Sequence, residues 1–179
     1  MTEPWLVVVD MQQVFTGASP WASPQYDDAA AGIARLLPRF GDRVVLTRYV
    51  APQPPTGAWV DYFEQWPFAL VPPDDPLYDL TLDPGEHRVV TAPTFGKWGA
   101  ELAEATGHAD QIVLTGVSTD CCVLSTALPA ADAGVRVVVP ADACGGATPE
   151  DHRRALDAMG LYAPLVEIST VDEVLASSR

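Results

Sequence analysis

The sequence predicts a three-layer α/β/α domain around a six-stranded parallel sheet. Three observations carry this. Short, Val-rich apolar runs recur along the chain, as in residues 5–10 (WLVVVD) and 135–140 (VRVVVP). Their lack of polar alternation is that of strands buried on both faces. Between them lie stretches with apolar residues at helical spacing, such as Ile33, Leu36, Leu37 and Phe40 ahead of Gly41. That βαβ rhythm implies parallel pairing with helices covering both faces of the sheet. Finally, 179 residues without an internal repeat suit one domain, residues 1–179.

The elements follow in order. Strands are expected at residues 5–10, 43–49, 87–91, 111–116, 135–140 and 165–169. Helices are expected at 28–40, 98–105, 119–132, 149–159 and 171–177, with Pro149 at a first-turn position. Pro129 is discordant, because a proline inside the 119–132 helix removes a backbone donor. Residues 51–84 break the rhythm. They are rich in proline and aromatics, with a helical turn or two at 59–66 and loop elsewhere. A connection this long is a lid or an interface.

Bulk properties narrow the function. A net charge of -14 disfavours nucleic acid and anionic membranes. No apolar stretch has the length of a membrane span, and the opening residues read as a strand rather than a signal peptide. Three cysteines, two of them adjacent, make a poor disulfide framework, so a reducing, cytoplasmic setting is expected.

Ligands of open parallel sheets bind beyond the carboxyl ends of the strands, and three such ends carry chemistry. Asp10 follows four apolar residues, where a carboxylate is expensive to bury unless it turns a cap or faces a cleft. After Gly116 comes the turn Val117-Ser118-Thr119-Asp120, then Cys121 and Cys122 at a helix start. There the helix dipole and free N–H groups favour thiolate, while Asp120 opposes it. The two thiols point about 100° apart, and spacing alone does not choose between them. Lys97, the only lysine, lies past the third strand between Gly96 and Trp98. A cation there can hold a carboxylate and a thiol in place, although most lysines are simply solvated.

Taken together, these residues resemble the isochorismatase-like cysteine hydrolases. The resemblance rests on Val7-Val8-Val9-Asp10-Met11-Gln12 with Phe15, on Gly116-Val117-Ser118-Thr119-Asp120-Cys121-Cys122-Val123 with Thr126-Ala127, and on Asp142-Ala143-Cys144 with His152 and Ala155-Leu156. It implies an Asp10–Lys97–Cys122 triad with Cys122 as nucleophile and Asp10 as base. It also implies a cis peptide at Val117–Ser118 and an oxyanion hole from the N–H groups of Ser118 and Cys122. The lysine departs from the family pattern, which places it at Ala92. The expectation is that a remodelled loop returns Lys97 to the site, with Arg48 or Arg88 as weaker substitutes.

Relatives that bind a metal do so through Asp and His after the second strand. This chain reads Thr47-Arg48-Tyr49-Val50-Ala51-Pro52 there, and His87, His108 and His152 are scattered, so no metal and no cofactor are expected. Gln12, Phe15, Trp21, Trp59, Tyr62 and Trp66 are the candidates for a substrate pocket. The expected function is cleavage of a small amide or ureido C–N bond through a thioester. The rivals are thiol-independent vinyl-ether hydrolysis and a degenerate binding module; a dithiol redox protein is disfavoured by the adjacent cysteines. A homodimer or larger homo-oligomer through the 59–68 aromatics is expected.

Overall fold

The computed structural model describes residues 3–177. Six principal strands form an all-parallel sheet: β1 (Trp5–Val9), β2 (Val44–Tyr49), β3 (Arg88–Ala92), β4 (Gln111–Val117), β5 (Arg136–Pro140) and β7 (Val166–Ser169). Their spatial order is β3-β2-β1-β4-β5-β7, and a two-residue strand, β6 (Cys144–Gly145), adds to the end of β4. The apolar runs anticipate the six long strands. β6 has too few residues to leave a periodic signal.

The order turns around between β1 and β4. The chain winds outward from β1 to β3, then returns to β4 on the other side of β1. The loops leaving β1 and β4 therefore diverge at the carboxyl ends of the two strands, where sheets of this kind bind their ligands. Asp10 and the 118–122 turn sit there.

Alternation along β1 sorts the core. Leu6 and Val8 point to the face covered by α1 (Tyr26–Phe40) and α6 (Val171–Ala176). Val7 and Val9 point to the face of α3 (Ala100–Ala105), α4 (Leu124–Asp132) and α5 (Pro149–Gly160). Helices flank both faces, as expected; at the edge strand β3, Arg88, Val89 and Thr91 are exposed while Val90 is buried.

Residues 51–84 form a short helix, α2 (Trp59–Gln65), and single turns at Pro67–Ala69 and Pro76–Tyr78. The segment is pinned to the sheet end. Gln13 N–H donates to Asp79 O (2.9 Å) and Thr81 N–H to Met11 O (2.8 Å), on either side of an antiparallel bridge between Gln12 and Leu80. Trp59, Tyr62 and Trp66 are half-buried and pack with Trp21, Phe63, Phe68 and Phe95, so these rings meet one another within the chain. Among the described residues the exposed large apolar side chains are Val60, Val89, Leu161, Tyr162 and Leu165. Among the described residues no helix is long and apolar enough to cross a membrane.

Candidate active site

Asp10 is the first residue after β1 and adopts a left-handed backbone, φ 49°. Aspartate tolerates that region better than most side chains. The bend turns its carboxylate back over the sheet end, where Thr47 fixes it twice. Thr47 Oγ1 donates to Asp10 Oδ1 (2.6 Å) and accepts from the Asp10 N–H (3.2 Å). The second oxygen, Oδ2, lies 2.8 Å from Lys97 Nζ, and both side chains are fully shielded from solvent.

Lys97 returns to the site by a loop. Gly96 packs so closely on α4 that a Cβ there would stand 2.4 Å from the Ser125 carbonyl oxygen. That carbonyl is the one whose helical donor Pro129 removes, since proline lacks an N–H. Pro129 thus sits inside α4 without ending it. The next residue is tied to the same helix: Lys97 N–H donates to Thr126 Oγ1 (2.9 Å), which in turn donates to Cys122 O (2.7 Å). From there Nζ donates to Thr94 O (2.6 Å) and Phe95 O (2.8 Å), faces Asp10, and lies 5.6 Å from the centre of the Tyr49 ring. A buried ammonium is tolerable when its donors are met in this way. Arg88 is elsewhere, near Glu104 at the surface, and Arg48 donates to the Tyr78 and Pro73 carbonyl oxygens.

Cys122 is buried beside this pair. It lies in a π-helical turn, Thr119–Val123, that follows a cis peptide at Val117–Ser118 and leads into α4. Gly116 allows the approach. Its φ is +109°, and a Cβ would come within 2.1 Å of Val9 O on the neighbouring strand. The Asp10 carboxylate and the Lys97 ammonium both lie close enough for their charges to act on its sulfur. Burial pushes its pKa well above the usual thiol range. The Asp10 charge adds to that, and Lys97 opposes it. The helix-start argument for a resting thiolate is therefore outweighed by desolvation, and the thiol rests neutral beside the Asp10–Lys97 pair.

Asp120 does not act on this thiol. Its Oδ1 accepts from Ser118 Oγ (2.7 Å) and the Ala147 N–H (2.9 Å), and its Oδ2 from Cys121 Sγ (3.5 Å). Burial and this carboxylate push Cys121 up to about 11. On the same side Thr119 Oγ1 meets His152 Nδ1 at 2.8 Å, and burial holds that imidazole below its ordinary value. Cys144 is buried on β6, its thiol toward Leu114 O and pushed up to about 12 by burial.

The pocket candidates divide. Trp21, Trp59, Tyr62 and Trp66 belong to the aromatic cluster over the site, and Phe15 stacks on Trp21 from within the core (6.3 Å). Tyr62 lies near enough to both Cys121 and Cys122 that their charges would add to the rise that burial causes, to about 12. Gln12 is fully buried and its amide is committed to backbone. It donates to Tyr49 O (2.9 Å) and Tyr78 O (2.8 Å) and accepts from Tyr49 N–H (2.7 Å), so it braces β2 rather than facing an open pocket. Sequence reasoning passed over Thr47 and Tyr49. Their signal was two polar groups at the carboxyl end of the strand next to β1. Among the described residues no three His, Cys, Asp or Glu side chains gather as a metal site.

A thiol, a carboxylate and an ammonium at the switch point of a doubly wound parallel sheet define an α/β protein of enzyme type. The chain belongs to the isochorismatase family of hydrolases: residues 4–173 match the isochorismatase domain. It is 29% identical to the uncharacterized isochorismatase family protein YecD of Escherichia coli O157:H7, over 95% of this chain and 93% of that one. Its fold matches an isochorismatase-like hydrolase from Alkaliphilus metalliredigens (TM-score 0.82, 22% identity, 97% and 98% of the two chains). It also matches a cysteine hydrolase from Pseudomonas syringae pv. phaseolicola (0.83, 19%, 96% and 90%) and N-carbamoylsarcosine amidase from Thermoplasma acidophilum (0.74, 19%, 96% and 98%).

Proposed function

We propose that the protein hydrolyses a C–N bond of a small amide or ureido compound through a thioester on Cys122. The observation that carries this reading is the buried 2.8 Å contact of Lys97 Nζ with Asp10 Oδ2, with the buried Cys122 thiol beside that pair. A buried ion pair is a poor stabilising device for a fold, and one placed against a thiol at the switch point is suited to proton transfer.

Asp10 takes the thiol proton as sulfur attacks the carbonyl carbon. The carbonyl oxygen gathers charge facing the N–H groups of Ser118 and Cys122. The tetrahedral species collapses, the C–N bond breaks, and Asp10 gives its proton to the leaving nitrogen. Water then attacks the thioester with Asp10 as base; the acid leaves and sulfur regains its proton. Lys97 holds Asp10 in place and ionised between proton transfers. The fold similarity to an N-carbamoylsarcosine amidase is consistent with this class of bond.

The test is a panel of small carboxamides and ureido compounds assayed for ammonia release, with acid quench and intact-mass analysis. A substrate should leave a covalent adduct on the peptide carrying Cys122, and Cys122→Ala should remove both adduct and turnover. Ammonia release that survives Cys122→Ala would overturn the thioester and leave water as the attacking group.

A further inference from the structure

The two oxygens of the Asp10 carboxylate are not equivalent. Oδ1 accepts the Thr47 hydroxyl proton at 2.6 Å. Oδ2 lies 2.8 Å from Lys97 Nζ, yet it is buried and makes no hydrogen bond among the described residues. The ammonium directs its hydrogens to the Thr94 and Phe95 carbonyl oxygens, so it meets Oδ2 as a charge rather than as an aligned donor. Buried polar atoms are nearly always satisfied, and an orphan one calls for an explanation. An acceptor left open beside a buried thiol has one: it is the place where that thiol's proton can go.

Thr47 cannot turn away from its task. Its oxygen accepts the Asp10 N–H at 3.2 Å, and a hydroxyl has a single hydrogen, which is left for Oδ1. Its backbone is fixed as well. Thr47 is fully buried within β2, which pairs with β1 on one side and β3 on the other. The two bonds close a ring that runs from the Asp10 N–H through the Thr47 hydroxyl to the Asp10 carboxylate. Such a ring holds the carboxylate at a set angle, as a positioned base requires.

We propose that Thr47 is a positioning residue that makes Asp10 a single-ended base: it occupies Oδ1 and leaves Oδ2 to carry the proton. The proton leaves the Cys122 sulfur for Oδ2 as sulfur bonds to the carbonyl carbon. It passes from Oδ2 to the leaving nitrogen as the C–N bond breaks. The Thr47 proton stays on its own oxygen throughout. The inference rests on Asp10 as the base for Cys122 and adds which oxygen serves and what aims it.

The test needs no substrate. Cys122 is alkylated with iodoacetamide in the Cys121→Ala protein and followed by mass mapping of its peptide. Sulfur bonds to the methylene carbon, iodide leaves, and the thiol proton passes to Asp10 and on to solvent. Thr47→Val keeps the shape and removes the hydroxyl, whereas Thr47→Ser keeps the hydroxyl. At about pH 6.5 the valine variant should react about tenfold more slowly, and the serine variant should recover to within about threefold. By about pH 10 the gap should close to within about twofold, because hydroxide then removes the proton and the aim of Asp10 no longer matters.

A slowing of equal size at both pH values, or one that serine fails to relieve, would make Thr47 structural and overturn the proposal. Thr47→Ala carries the same expectation as Thr47→Val and replaces it if the valine variant does not fold; failure of both to fold would also make Thr47 structural. The double variant Asp10→Asn with Lys97→Met, which strands no buried charge, separates the two readings. If it reacts as fast as its parent at about pH 6.5, Asp10 is not the base and both readings fall. If it is slow while Thr47→Val is not, only the role of Thr47 falls.

Discussion

The two sides of the 119–123 turn carry adjacent thiols of identical chemistry in opposite surroundings. On one side Cys122 faces Asp10 and Lys97, a matched ion pair sealed from solvent. On the other Cys121 is half-buried against Asp120, whose carboxylate ties Ser118 to Ala147. Both thiols are pushed upward, so a lowered resting pKa is not what separates them. The difference is the neighbour that can receive the proton. Asp10 is held by Thr47 and Lys97 at the sheet end, whereas Asp120 is engaged by the backbone of the loop before α5.

Exchanging the two thiols one at a time tests the comparison most severely. Cys122→Ala should lower turnover of an identified substrate by at least about 10³-fold, and Cys121→Ala should leave it within about threefold. Comparable losses in steady-state kinetics would abolish the distinction.

Lys97→Met comes next. It strands a buried carboxylate, and urea denaturation should show a loss of about 3–5 kcal/mol. Adding Asp10→Asn should recover part of it, because the remaining pair is then neutral. A double variant less stable than the Lys97→Met single would contradict the charge argument.

On the other side, Asp120→Ala should cost about 1–2 kcal/mol through the Ser118 and Ala147 bonds, with turnover falling less than tenfold. A loss as large as that of Cys122→Ala would bring Asp120 into the chemistry.

His152 gives the smaller, pH-dependent effect. Burial holds its folded-state value below the ordinary 6.5, so the unfolded chain takes up a proton at higher pH than the folded one. Stability is full above that value and declines as pH falls from there toward the folded-state value. The urea midpoint should drop between about pH 7 and 5, and His152→Gln should flatten that slope. Iodoacetamide, finally, should alkylate Cys121 before Cys122, as peptide mass mapping would show, since the half-buried thiol is reached first. The reverse order would mean that the aromatic cover opens readily.

Legibility followed the range of the interaction. Strands written as unbroken Val-rich runs, such as β1 and β5, were readable because burial on both faces leaves no polar alternation. The helices around Ile33–Phe40 and after Pro149 were readable from spacing and a proline at the start. Gly116 was visible as a turn. Its need for the absence of a Cβ, with Val9 O in the way, was not, because that contact joins residues 107 apart in the chain. Gln12, a pocket candidate from the sequence, has three backbone partners that make it a brace for β2, and that commitment is likewise invisible in local pattern.

The linear chain already carries the α/β class, the strand ends where ligands are expected, and the residue types of the thiol, carboxylate and lysine. All follow from local patterning and from the cost of burying charge. The tertiary structure decided the rest. It set the order β3-β2-β1-β4-β5-β7 that parts the loops after β1 and β4, and the docking of Gly96 and Lys97 on α4 that brings the lysine back to Asp10. It separated the two cysteines and left the Tyr49 hydroxyl without a partner. These are contacts between residues tens of positions apart, fixed by the packing of whole elements, and no local pattern encodes them.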